Sequence, residues 1–500
     1  IKITMAEERA PHPAQFWMGG QTFKVPMSMH AEQRARLVAR MAKQGVQSGV
    51  ALFQGAASYC RDDTDHEPLV RQESFFQYLF GVKEPDCYAA INFATGHSIL
   101  FVPRLPRSYQ VWMGHIFTNE EFKEMYAVEE VRFVDELKEV LEKETTGTEK
   151  QLYILAGKNT DSKAMHAGAK FDGIDDFKVN SSVMMHELTE CRVIKTKTEI
   201  ELMRYVNEIS SAAHLHVMKT TKPEMMEYQL EANFRHWAYY HGGARHMSYT
   251  CICAAGNNGA TLHYGHAGAP NQAAVSPNHL LLLDMGAEYH CYGADITRSF
   301  PSDGKYNPQQ RAIYSAVLAA QKAVMDASKP GVSWPAMHRL AERVILQHLL
   351  QIGLVRGSLE ELEQNFIANI FMPHGLGHLL GLDTHDVGGY PNGMTRSTEP
   401  GLASLRCGRV LEAGMVITVE PGIYFNWPEL VLHLADPVKS KFLVAEEIAK
   451  FKNFGGVRIE DDILITETGN ENLTTVPSSI DEIEDILSRN TFIAQYHADK

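Results

Sequence analysis

Five residues in the second half of this 500-residue chain carry side chains that could share one piece of chemistry: Asp284, Asp295, His378, Glu420 and Glu460. The four carboxylates lie within or at the end of short, largely apolar, strand-like runs. Among these runs are HLLLLDMG at 279–286, MVITVEPG at 415–422 and VRIEDDILIT at 457–466. Such runs bury side chains, and four buried carboxylates without compensation are prohibitively costly, so cations are the expected remedy. An oxygen-rich set with one imidazole suits Mn²⁺, Co²⁺ or Zn²⁺ better than a soft-metal centre. Two divalent ions neutralise four carboxylates, and a hydroxide bridging them is the expected nucleophile of a hydrolase.

The spacings refine this reading. Asp284 and Asp295 are eleven residues apart, and a reversal between Tyr289 and His290 sets them face to face across a strand pair. The segment MPHGLGHLLGLDTHDVGG, 372–389, holds three histidines among five glycines. His378 and His385 are seven apart, but the glycines favour loop or strand over helix and allow close backbone approach. The glycines do not follow the dinucleotide-binding spacing. Glu420 shares a strand face with Thr418, and Arg458 points to the same side as Glu460. An arginine there keeps a liganding carboxylate ionised and orients it. His263 and His266, in LHYGHAG at 262–268, are placed to bind a substrate carboxylate, to stabilise an oxyanion or to be structural. Arg406, in EPGLASLR, is a candidate for bidentate capture of a terminal carboxylate.

The elements that must position these groups can be read next. At 500 residues two domains are expected, a mixed α/β domain over 5–190 and an α+β catalytic domain over 191–490. In the first, 49–55, 87–93, 97–103 and 151–157 read as strands, with a hairpin turn at Ala94-Thr95-Gly96. With no concentrated set of metal ligands, this half is assigned to scaffolding, dimerisation or closing the site. In the second, Thr198 and Glu201 predict a capping box for a helix whose stripe is Leu202, Val206, Ile209 and Ala213. Asn307 and Pro308 start another helix, with Ile313, Val317, Ala320 and Val324 inward; it stops at Lys329-Pro330-Gly331. A third runs from Ser333 to about Gln351.

The net charge of −14 argues against nucleic acid, which needs a basic face, and against anionic membranes. No apolar run is long enough to span a bilayer, and the start of the chain lacks the apolar core of a signal peptide. Residues 1–4, ahead of Met5, read as an appended remnant. Seven cysteines without zinc or CxxC spacing read as reduced thiols in the cytoplasm.

Taken together, Asp284, Asp295, His378 in HGLGH, Glu420 in VEPG and Glu460 in RIED resemble the metal-binding signature of the pita-bread metallopeptidases, the group of methionine aminopeptidase, aminopeptidase P and the X-Pro dipeptidases. RQESFFQYLFGVKEPDCY, MSYTCICAAG, LHYGHAGAPN and FMPHGLGHLLGLDTHDVGGYP are similar to the dipeptidase branch, from about Phe16 to Ile486. The resemblance implies a pseudo-symmetric α+β catalytic domain with a curved antiparallel sheet. It implies hydrolysis of Xaa-Pro dipeptides by a homodimer holding two Mn²⁺, with Co²⁺ or Zn²⁺ as substitutes. Asp295 and Glu460 would bridge the metals, Asp284 would complete one, and His378 with Glu420 the other. His263, His385, Arg406 and Arg458 would contact substrate. Glu420 would carry the proton, His385 would stabilise the tetrahedral oxygen, and Arg406 would hold the proline carboxylate. The alternatives are cleavage of longer X-Pro peptides and a non-catalytic binding module that has lost its ligands; organophosphate hydrolysis is expected only as a side reaction.

Overall fold

A computed structural model describes residues 14–490; the remnant expected at residues 1–4 lies outside them. The chain divides into two units between Arg192 and Val193.

The first unit is built on one mixed sheet. Its strands are β1 (Val50–Gln54), β2 (Tyr88–Asn92), β3 (Ser98–Val102), β4 (Glu130–Phe133), β5 (Gln151–Ile154) and β6 (Lys178–Asn180), in the order β6-β5-β1-β2-β3-β4. The four strands expected from sequence are all present. The Asn92–His97 reversal between β2 and β3 is closed by Gly96 at φ +73°, the left-handed conformation glycine adopts at no steric cost. Val50, Leu52, Ala90, Ile99, Phe101 and Leu152 bury one face of the sheet against Leu137 and Leu141 of the helix α2 (Leu137–Glu144); α1 (Ser28–Lys43) turns Met29, Leu37 and Met41 inward.

The second unit opens with α3 (Lys197–Thr220). Its cap is Thr196, not Thr198: Thr196 Oγ1 accepts the Glu199 amide at 3.2 Å, and Glu199 Oε2 accepts the Thr196 amide at 2.8 Å. The two overlapping Thr-x-x-Glu patterns differ because only Thr196 has the extended backbone a cap requires. Leu202, Val206, Ile209 and Ala213 are buried as predicted. After α4 (Glu227–Gly242) come β7 (Ile252–Ala255), β8 (Leu280–Asp284), β9 (Ala287–Tyr289), β10 (Tyr292–Gly293) and β11 (Thr297–Pro301). The helices α5 (Pro308–Ala327), capped by Asn307, and α6 (Trp334–Gln351) follow where predicted.

Two three-stranded antiparallel sheets carry the site. One has the order β7-β8-β11. The other has β15 (Asp461–Ile465) at its centre, between β12 (Val416–Val419) and β16 (Asn470–Asn472). Between them run β13 (Gly422–Tyr424) and β14 (Gly456–Arg458), paired antiparallel. The single strand expected over 457–466 is thus two, interrupted at Ile459-Glu460, where Glu460 leaves its own sheet to bridge Thr297 of the other. Leu281, Leu283, Ile296, Ile417, Val419, Ile459 and Ile463 from both sheets, with Ile313 and Val317 of α5, form one core.

Candidate metal centre

Register decides where the acidic residues point. Asp284 pairs with Thr297 and Glu288 with Gly293, so the chain reverses at His290-Cys291, which take φ +51° and +64°. The expected reversal was one residue earlier and would have set Asp284 opposite Asp295. Instead Asp295 lies diagonally, two residues from the partner of Asp284, still on the same face. The physical reason is that two non-glycine residues adopt the left-handed turn, and the nearby glycines at 286 and 293 do not mark its centre.

Across the junction of the sheets, Asp295, His378 and Glu460 each offer an atom within 4.8 Å of the others, and all three are buried. His378 lies in the loop 372–389, which contains neither helix nor strand, as its glycines predict. Its Nδ1 donates to the Leu379 carbonyl at 3.1 Å, which leaves the Nε2 lone pair towards the site. That atom faces Asp295 Oδ2 at 3.3 Å and Glu420 Oε1 at 3.5 Å, an arrangement of acceptors that calls for a cation. The His378 amide donates to Thr418 Oγ1, and the Thr418 hydroxyl sits 3.4 Å from Glu420 Oε1.

Asp284 is held separately. Arg458 Nη2 donates to its Oδ2 at 2.6 Å and the Tyr249 hydroxyl to its Oδ1 at 2.5 Å. Arg458 also donates through Nε to Thr297 Oγ1 at 3.0 Å and through Nη1 to the Tyr424 hydroxyl at 2.8 Å. Its nearest carboxylate is therefore Asp284, with Glu460 farther off at 3.8 Å. The Thr297 hydroxyl donates to Glu460 Oε2 at 2.7 Å. Asp284 and Glu460 are thus linked through one guanidinium and one threonine.

The electrostatics state the same demand. Burial, then repulsion from Asp284, pushes the Asp295 carboxyl well above the usual range. Burial, then Asp295 and Glu420, does the same to Glu460. Glu420 is raised to about 7 by burial, with His378 and Arg458 opposing. Protons are standing in for positive charge that this set of oxygens and one imidazole nitrogen requires, so the residues present fit divalent metal. Burial and the nearby Asp284 keep Tyr249 protonated, a neutral donor to that carboxylate.

A cleft of about 640 Å³ opens over the ligands, lined also by Tyr249, His263, His374, His385 and Arg406. The rings of His378 and His385 stand edge to face, 4.5 Å apart. Although His385 is exposed to the cleft, the enclosing walls, then His378, Arg406 and His263, drive its imidazole well below the usual range, so it is neutral. His263 is lowered too, by burial and Arg458.

Sequence reading gave no role to several residues here. His374 donates through Nδ1 to the Gly375 carbonyl at 2.8 Å, and its buried Nε2 has no hydrogen-bond partner among the described residues. Its signal was the HGLGH spacing, four residues before His378. Asp462 Oδ2 accepts the Asp295 amide at 3.0 Å, and Asp461 binds Arg298 at 2.7 Å, so all three acids of Glu460-Asp461-Asp462 are used. Tyr249 and Tyr424 had no local signal, since each is fixed by residues far along the chain.

The description "Metallopeptidase family M24" matches residues 201–467, and "Aminopeptidase P, N-terminal domain" matches residues 30–153. The chain belongs to metallopeptidase family M24. It is similar to the Xaa-Pro dipeptidase of Homo sapiens, 51% identical over 471 residues, 94% of this chain and 95% of that one. It is also similar to a probable Xaa-Pro aminopeptidase of Verticillium alfalfae, 37% identical over 92% of this chain and 96% of the relative. Among solved structures, the aminopeptidase PepP of Pseudomonas aeruginosa superposes with a TM-score of 0.77 at 32% identity, covering 93% of this chain and 99% of its own. Zinc-substituted aminopeptidase P of E. coli superposes at 0.76 with 29% identity. The second unit has the M24 pita-bread fold, the α+β class the sequence predicted, preceded by the mixed α/β unit. Among the described residues no helix is long and apolar enough to cross a membrane.

Proposed function

We propose that this M24 peptidase hydrolyses Xaa-Pro dipeptides with two Mn²⁺ ions held by Asp284, Asp295, His378, Glu420 and Glu460. The observation that carries the reading is the meeting of these five residues with Arg406 around a single cleft. An X-Pro bond is a tertiary amide without an N–H, so proteases that bind that N–H handle it poorly. When bound, the metals supply a water that is deprotonated at neutral pH and an electrophile for the carbonyl oxygen.

The protein's own groups do the rest. Glu420, at the edge of the ligand set with Oε1 3.5 Å from His378 Nε2 and open to the cleft, takes the attacking water's proton on a carboxylate oxygen and delivers it to the proline nitrogen. Neutral His385, beside His378, donates to the developing oxyanion. Arg406 binds the proline carboxylate and His263 contacts the bound dipeptide. Arg458 orients Asp284 and, through Thr297, Glu460.

The assembly proposed is a homodimer, supported by the exposed apolar group Val111, Trp112 and Met113, at 80%, 81% and 63% exposure. The compartment proposed is the cytoplasm, supported by the free buried thiols Cys87, Cys251 and Cys253.

Cleavage of longer X-Pro peptides is the second reading, favoured by the structural likeness to aminopeptidase P. Hydrolysis of Gly-Pro against Gly-Pro-Ala, metal-free and with Mn²⁺ added, separates them. Mn²⁺-dependent cleavage of Gly-Pro alone is expected. Cleavage of the tripeptide instead establishes the aminopeptidase reading, and inertness on both overturns each.

A further inference from the structure

Outside the ligand set, Glu227, the first residue of α4, is a heavily bonded buried acid. It is fully buried and, among the described residues, has no cation against either oxygen. Its Oε1 accepts the Ala255 amide at 2.8 Å and the Asn258 side-chain amide at 2.9 Å. Its Oε2 accepts the Tyr264 hydroxyl at 2.8 Å and the Ala273 amide at 2.9 Å. All four partners donate, which is how a charge can be held away from water without a counter-ion. One helical turn on, Glu231 accepts Asn271 Nδ2 at 2.7 Å. The other side of that amide reaches strand β7: Asn271 Oδ1 accepts the Cys253 amide, and Nδ2 also donates to the Cys251 carbonyl.

These bonds converge on one segment. Ala255 and Asn258 precede the loop that carries His263, Tyr264 lies within it, and Asn271 and Ala273 close it. The loop is drawn so close to β7 that a Cβ on Gly265, at φ +90°, would lie 2.4 Å from the Cys251 carbonyl oxygen. The Tyr264 ring, buried among Ile252, Ala254, Leu282 and Tyr424, borders the same cleft that its neighbour His263 lines. The inward anchor at 264 therefore fixes which way residue 263 faces.

We propose that Glu227 is a positioning residue for substrate binding: it clasps the 255–273 segment through Tyr264 and so sets His263 against the bound dipeptide. The inference rests on the dipeptidase reading above. His263 contacts substrate before and during the reaction alike, so its misplacement lowers affinity more than turnover.

The test uses the full, Mn²⁺-loaded chain with Gly-Pro, comparing E227Q, Y264F, H263A and the doubles E227Q/H263A and Y264F/H263A. Glutamine keeps the shape of Glu227 but points an NH₂ at donors, either Ala255 N–H with the Asn258 amide or Ala273 N–H with the Tyr264 hydroxyl, so at least one backbone N–H loses its acceptor. Losing one such bond raises KM roughly ten-fold while kcat stays within about two-fold. In the H263A background neither substitution raises KM further, and Mn²⁺ affinity is unchanged in all. Y264F removes a single hydroxyl and decides the matter if E227Q does not fold. Effects that multiply in the doubles, or fall equally on kcat and on Mn²⁺ affinity, reveal a general structural role and overturn the inference alone. A wild-type chain inert on Gly-Pro overturns the dipeptidase reading, and this inference with it.

Discussion

Arg458 and Asp284 are joined by a 2.6 Å hydrogen bond although they lie 174 residues apart, one from each of the two β systems that meet at the site. The same guanidinium holds Thr297, which in turn donates to Glu460. One cation thus sets the orientation of two proposed ligands. It leaves three negative charges of the four for metal to neutralise.

Replacing Arg458 with Met removes the three hydrogen bonds of its guanidinium and leaves Asp284 buried with Tyr249 as its remaining side-chain donor. Mn²⁺ affinity is expected to fall about 10- to 100-fold. Arg458→Lys would keep the charge but serve one partner at a time, and should recover only part of the loss. Titration of the metal-free variants with Mn²⁺ by calorimetry checks this. Affinity equal to wild type in Arg458→Met would show that the arginine does not orient the ligands.

Arg406 lines the cleft among His263, His385 and Glu420. If it holds the proline carboxylate, Arg406→Ala should raise KM for Gly-Pro by ten-fold or more, about 1.5–3 kcal/mol for a charge-assisted hydrogen bond, with a smaller change in kcat. Steady-state kinetics on the free dipeptide and its C-terminal amide make the comparison. Wild type should discriminate strongly between the two and the variant weakly; an unchanged KM for Gly-Pro would sink the clamp.

The first unit carries its own pH response. Burial drives the His30 imidazole down to about 4, with its Nδ1 2.8 Å from the Tyr78 carbonyl oxygen and Arg34 also disfavouring the charged ring. Above pH 6.5 both folded and unfolded states are neutral at this residue, so its contribution is flat. As the pH falls from 6.5 to 4 the unfolded chain takes up a proton that folded His30 refuses, and up to about 3 kcal/mol of stability is lost. Calorimetric melting of His30→Gln should show a smaller fall between pH 7 and 5 than wild type. Parallel slopes for the two chains would remove His30 from the account.

Much of the site was legible because its residues break local rules. An aspartate ending a run of four leucines, or a glutamate closing an apolar strand, has no cheap explanation other than a partner. The strands and the helix after Asn307 were legible for the opposite reason, since apolar period, Asn307-Pro308 and Lys329-Pro330-Gly331 all agree locally. What was missed depends on distance along the chain. The two-residue turn at His290-Cys291 gives no glycine signal, so the turn was placed one residue early and the expected partner of Asp284 fell two residues short of its true one, Thr297. Tyr249, Asp462 and Glu227 look ordinary in sequence and gain meaning only from partners the fold brings up. His374 was within reach, four residues before His378, but without its unpartnered Nε2 nothing separated it from a structural histidine.

Gly377 has a steric reason to be glycine that leads straight to the ligand beside it. A Cβ there would lie 2.0 Å from the Thr418 carbonyl oxygen and 2.9 Å from its hydroxyl, the group that accepts the His378 amide. The loop and β12 are joined at this place, through Leu379 opposite Ile417 and the Thr418 amide on the His378 carbonyl at 2.9 Å. Neither side is a flexible side-chain end, so Gly377→Ala must push the loop off the strand. His378 Nε2 then leaves its position 3.3 Å from Asp295, and about 1 Å of displacement in a pre-arranged site costs roughly a hundred-fold in rate. The expected outcome is at least that loss in kcat/KM for Gly-Pro, with weaker Mn²⁺ binding and a far-UV spectrum like that of wild type. Gly331→Ala, where a Cβ meets nothing within 4 Å, serves as the control and should lose only the modest stability that a left-handed alanine costs. Full activity in Gly377→Ala would mean that the strand–loop contact does not set the metal ligand.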